Sequence, residues 1–142
     1  MHLTEHVAAV RAGGGDPRAM LGEFRRTPVL APVLDDGFMT TVYGGIRWLY
    51  AFSDEPALSR FTQATGSAPH QPWEYRTVLG ARLLDVVIPA LGEPAGVALD
   101  VADEHHSMLF PPVSGIVPDA SAVDVPAVDA SAVTAPRGEA SR

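Results

Sequence analysis

The chain contains no cysteine and no lysine. Without cysteine there is no disulfide scaffold, no thiol nucleophile and no cysteine-ligated zinc. All ten basic side chains are arginine. That excludes a Schiff-base lysine and the lysine of a phosphate-binding P-loop. Long apolar runs are missing too: no stretch approaches the ~18 uninterrupted residues that a membrane span needs. Positive charge is scarce. A formal net charge of −7 argues against a general affinity for nucleic-acid backbone, which needs clustered cations. Arg25 and Arg26 are adjacent, but the other arginines are scattered. The opening "MHLTEHVAAVRAGGG" is too short and too polar for a signal-peptide core. These absences predict a soluble, cytoplasmic protein that binds neither membrane nor nucleic acid. The missing lysine, with abundant Ala, Gly, Pro and Val, points to GC-rich coding and an actinobacterial-type source.

What is present suffices for one core. The 142 residues match a single domain, and 46% of them are hydrophobic. Thr4 is placed to cap a short helix over 5–12, which Gly13-Gly14-Gly15 ends. Asp16-Pro17 opens a second helix, with Met20, Leu21 and Phe24 on one face and a stop at Thr27-Pro28. A meander follows. "PVLAPVL" is a strand in which Pro32 marks an edge or an end; Asp36-Gly37 is a hairpin turn; "FMTTVY", Gly44-Gly45 and "IRWLYAF" complete it. In the last of these Ile46, Trp48, Tyr50 and Phe52 alternate with Arg47, Leu49 and Ala51, so the four large residues are expected in the core. Ser53 or Asp54 caps a third helix carrying Leu58 and Phe61, with Gly66 as its stop. "WEYRTVL" alternates and is expected to pair with the meander. "GARLLDVVIPALG" is an amphipathic helix that ends or kinks near Ile88, because Pro89 breaks its interior. "GVALDV" and "SMLFPPV" supply the last strands. The fold class expected is α+β: a small mixed or antiparallel sheet packed by three to four helices.

From Pro118 onward small residues, Pro and Asp dominate, and "DASAV" occurs at Asp119–Val123 and again at Asp129–Val133. Such composition buries too little apolar surface to offset chain entropy. The expected organisation is a domain over 1–117 and a disordered tail over 118–142.

The order of elements resembles the N-terminal domain of the SseB family, the enhanced-serine-sensitivity proteins, across roughly 18–118. The residues that carry the resemblance are Pro32 within its strand, the aromatic strand entering a helix through Phe52-Ser53-Asp54-Glu55, and the helix leading into a short strand. At the turn after that strand this sequence has Leu99-Asp100-Val101 in place of an "NPG"-like turn. These motifs are structural rather than catalytic. The resemblance implies an accessory or binding role, with no catalytic set and no cofactor to carry over.

The sequence offers one reactive-looking stretch, "VADEHHSMLFPP" over 101–112, preceded by Asp100. Adjacent histidines diverge on a strand and on a helix, so His105 and His106 are not a paired metal site by themselves. Asp103-x-His105 has a spacing that suits a strand-borne zinc site, with His70 or Asp100 completing it. The competing expectation is a solvated turn between two strands. Elsewhere there is no G-x-S-x-G elbow and no HExxH helix, and "RAGGGDP" follows no strand and lacks phosphate-loop spacing. The leading expectation is therefore a non-enzymatic domain that binds a protein partner on an exposed sheet face carrying Arg47, Glu74 and Arg76. The alternative is a small-molecule or metal-dependent activity built on Asp100, Asp103, His105 and His106.

Overall fold

A computed structural model describes residues 2–65 and 73–123. The fold is α+β. Helix α1 (Leu3–Arg11) starts two residues earlier than a Thr4 cap would give: His2 is the N-cap, and Glu5 reaches back to accept from its backbone N–H at 2.7 Å. Helix α2 (Pro17–Arg26) begins as expected, with the Asp16 carboxylate accepting from the Arg18 N–H. Its Met20 and Phe24 are buried.

Strand β1 (Pro28–Leu34) matches the expected segment. The turn after it lies one residue earlier than Asp36-Gly37. Asp35 and Asp36 both have positive φ, 52° and 68°, and Leu34 pairs with Gly37. This is the two-residue turn geometry whose twist suits a hairpin. The second strand of the meander breaks at Met39 into β2 (Gly37–Phe38) and β3 (Thr40–Tyr43).

Pro32 explains the break. Leu30 and Phe52 exchange both backbone hydrogen bonds at 2.8 Å. The next antiparallel pair would be Pro32 with Tyr50, but Pro32 has no N–H to give. Met39 fills the gap instead: its N–H donates to the Pro32 carbonyl at 2.8 Å, and its own carbonyl accepts from Tyr50 at 3.3 Å. The strands therefore split into two sheets, β2-β1-β5 and β3-β4-β6-β7, linked by the Leu30–Phe52 bridge and through Met39.

Strand β4 (Ile46–Ala51) runs through the middle and is buried on both faces. Ile46, Trp48, Tyr50 and Phe52 pack with Ala57, Leu58 and Phe61 of α3 (Glu55–Ala64). Leu49 and Ala51, expected away from the core, belong to a second core with α1, α2 and the later helix. Strand β5 (Tyr75–Leu79) pairs antiparallel with β1, as expected of "WEYRTVL".

The helix after it, α4, does not end near Ile88 but continues past Pro89 with a local irregularity just before it. It runs as Gly80–Arg82, a π-helical stretch Leu83–Val87, and Ile88–Leu91, then closes on Gly92 at φ 71°. The widened turn lies immediately before Pro89, with the Ile88 N–H bonded to Leu83 five residues back. That widening relieves the clash between a proline ring and the carbonyl four residues before it. Strand β6 (Ala95–Leu99) then lies parallel to β4, and β7 (Met108–Phe110) closes the sheet antiparallel to β6.

The first residues of the expected tail are ordered onto the domain. Asp119–Ser121 forms a 3-10 turn, and the Val123 N–H donates to the Pro112 carbonyl at 2.8 Å. The remainder of the tail, Gly66 and His70 lie outside the described residues.

Candidate functional site

The acidic-histidine stretch sits where the parallel strands β4 and β6 end. Asp100 has a positive φ of 51° and is 2% exposed. Its carboxylate accepts from the Ser53 N–H at 2.8 Å and from the Ser53 hydroxyl at 2.7 Å. Burial pushes its pKa up to about 6, against the pull of Ser53's hydrogen bonds and with the help of nearby Asp54 and Asp103. Asp54 is the helix cap, accepting from the Ala57 N–H. Ser53 is therefore released from capping and clasps the β6 end to the start of α3.

Asp103 organises the turn that follows. It accepts from the backbone N–H groups of His105 (2.9 Å) and His106 (3.2 Å), lies 3.0 Å from His106 Nδ1 and receives Arg60 of α3 at 3.3 Å. Burial raises its pKa, but the His105 N–H, His106 and Arg60 outweigh that and hold it below the usual carboxylate range. Arg11 of α1 donates to the carbonyls of Glu104 and Ser107 at 2.8 and 2.9 Å. The stretch fastens α1, α3 and β6 together, and Asp100 within it is buried rather than solvated. His105 turns away to Glu104 at 3.4 Å, with both side chains exposed. Asp103 and His106 meet, but His105 does not join them. Among the described residues no three His, Asp or Glu side chains converge as metal ligands.

The concave site lies elsewhere, where the sheet splits. A groove of about 590 Å³ opens beside Met39 and the β1–β2 turn. Its apolar lining comes from Leu49, Phe38, Leu91 and Leu34, and Arg47 and Glu93 stand across it. Arg47 Nε lies 3.0 Å from Glu93 Oε1, and Arg47 Nη1 donates to the Thr40 hydroxyl at 2.9 Å. Leu34 is 52% exposed; Val42 and Tyr43 on β3 are 44% and 46% exposed.

Strand β3 is also a sheet edge. It pairs with β4 on one side, and among the described residues no strand pairs along its other side. The Gly44-Gly45 turn closes on Tyr43 and Ile46, so the backbone groups of Thr40 and Val42 point away from β4; Thr40 is buried there and Val42 is exposed.

Of the expected partner face, only Arg47 belongs to this groove. Glu74 and Arg76 are exposed on and beside β5, where Arg76 pairs with Ala31. They share a sheet side with Arg47. The bridge between the sheets is at Phe52, five residues along the chain from Arg47, or roughly 16 Å of extended strand. The structure does not bring the three together. Nor is that side an open face at Arg47, which is half-buried and paired, because α1, α2 and α4 pack over the strand it belongs to. Sequence reasoning missed the groove. Its signal was Pro32, whose missing N–H prevents the two sheets from closing.

Compared with protein-family models, curated proteins and solved structures, the chain matches none.

Proposed function

We propose that this is a non-enzymatic binding domain that takes an extended segment of a protein partner along the outer edge of β3, with side chains entering the groove beside it. The observation that carries this reading is the coincidence of an unpaired strand edge with an apolar groove and two exposed large side chains on the groove side, Leu34 and Val42; Tyr43 is exposed on the opposite face of the same edge strand. Strand addition uses main-chain hydrogen bonds for affinity and neighbouring pockets for specificity. Exposed apolar clusters rimmed by polar groups mark interaction sites. A chain of net charge −7 favours a neutral or basic partner. The SseB resemblance supports an accessory role. The carboxylates of the acidic-histidine stretch are occupied in holding the fold, which weighs against the metal-dependent alternative on Asp100, Asp103, His105 and His106.

The test is affinity capture from native lysate with the wild-type chain and with Val42→Asp and Leu34→Asp. Both positions are surface ones, so folding should survive, and circular dichroism checks that. The expected result is a partner retained by the wild type and lost by both variants. A partner retained equally by folded variants contradicts the edge-and-groove site.

A further inference from the structure

The five residues that end the described chain recur ten positions later: Asp-Ala-Ser-Ala-Val stands at Asp119–Val123 and again at Asp129–Val133. The first copy shows what this sequence does on the domain. Pro118's carbonyl accepts from the Ser121 N–H at 2.8 Å, and Asp119's carbonyl accepts from Ala122 at 3.2 Å. The Ser114 hydroxyl donates to the Asp119 carboxylate at 3.0 Å. Ala122 packs against the larger core, and Val123 donates its N–H to Pro112. Beside this turn Ala120, Ser121 and Val123 border a recess of about 270 Å³ shared with Ile88, Pro89 and Gly92.

Every group that the seat uses is present in both copies. The Asp carboxylate, the Ser, Ala and Val backbone groups and the small Ala side chains recur unchanged, and Pro118 contributes only a carbonyl, which Val128 also has. We propose that Asp129–Val133 is a second occupant of this seat, exchanging in the same chain with Asp119–Val123. The first copy is favoured because the second must loop out the ten residues between them, and closing a loop costs entropy. The exchange shifts how many residues follow the seated segment, from 19 to nine. Glu93 borders both this recess and the groove, so the shift takes place at the groove's rim. This inference stands independently of the partner proposed above.

The test is amide hydrogen exchange by NMR on the full chain, comparing wild type, Ala122→Asp, Ala132→Asp and the double variant. Ala122→Asp sets a charge against the core and disables the first copy. Its Val123 amide should then lose protection and its Val133 amide gain it, slowing about tenfold, as an amide does when it enters a locally closed structure. Adding Ala132→Asp should abolish that gain and lower the melting temperature further, while Ala132→Asp alone leaves the wild-type pattern. If Ala122→Asp unfolds the domain, Asp119→Ala, which removes only the Ser114 contact, carries the same comparison. A Val133 amide unprotected in every variant, with the double variant melting with the single, overturns the proposal. Protection that appears only with a concentration-dependent increase in mass also overturns it, because the segment is then seated on another chain.

Discussion

At the scale of single residues, the stability of this domain is coupled to pH through Asp100. Its folded pKa, about 6, lies above its ordinary value of 3.8. A group shifted upward contributes stability that is full below the unfolded value and is lost as pH rises through the folded value. The window is therefore pH 4 to about 6, and the contribution amounts to roughly 3 kcal/mol at most, at 1.36 kcal/mol per unit. Asp100→Asn keeps an acceptor for the Ser53 N–H and offers its amide to the Ser53 hydroxyl, but cannot ionise. Urea unfolding at pH 4.5 and 7.5 should show the wild type losing stability relative to the variant as pH rises. Parallel curves would mean that Asp100 is not the buried acid described. The clasp was partly legible in the sequence: Ser53 and Asp54 competed for one cap, and a helix start needs only one, so the other had a separate task.

At the scale of elements, close packing decides what the strands tolerate. Gly96 of β6 sits between β4 and β7, where an added Cβ would meet the Phe110 carbonyl at 2.4 Å and Trp48 Cζ3 at 2.8 Å. Backbone gives way less readily than a side-chain tip, and overpacking costs typically 1–3 kcal/mol or more. Gly96→Ala should therefore lower the thermal midpoint well below the wild type, and an unchanged midpoint would contradict the packing of β6 between its neighbours. The elements themselves were largely legible, because their signals are local. Alternation marked β4 and β5, Asp16-Pro17 marked α2, and the glycines marked the hairpin of β3 and β4. What was not legible depends on partners distant in sequence. That Leu49 and Ala51 face a second core follows from helices on that side. That β6 runs parallel to β4 follows from the crossover through α3, β5 and α4. Pro89 marked a break by local rules, but the π-helical turn before it absorbs the ring within a continuing helix. Met39 could not be read as a wedge, since its place is set by what Pro32 fails to donate across the sheet.

At the scale of the whole molecule, the two sheets meet at the Leu30–Phe52 bridge and diverge from there around Met39. The divergence leaves a groove on one side of β4 and an unpaired edge on β3, while α1, α2 and α4 pack over one face and α3 over the other. Unpaired edges that carry apolar side chains can take another chain, and β3 offers a short one, Thr40–Tyr43. The histidine-rich stretch drew attention in the sequence because of its composition, yet its Asp100 and Asp103 turn inward to join neighbouring elements, while His105 and Glu104 stay exposed. The groove has no composition signal at all, because its lining comes from residues between 34 and 93 that only the fold collects. The proposed site puts a partner along β3 rather than on the face bearing Glu74 and Arg76. The most direct measurement replaces Tyr43 with a photo-cross-linking amino acid in one chain and Arg76 in another, then irradiates each in cells that express it. The account predicts a discrete cross-linked product from position 43 and none from position 76. A product from position 76 alone would contradict it.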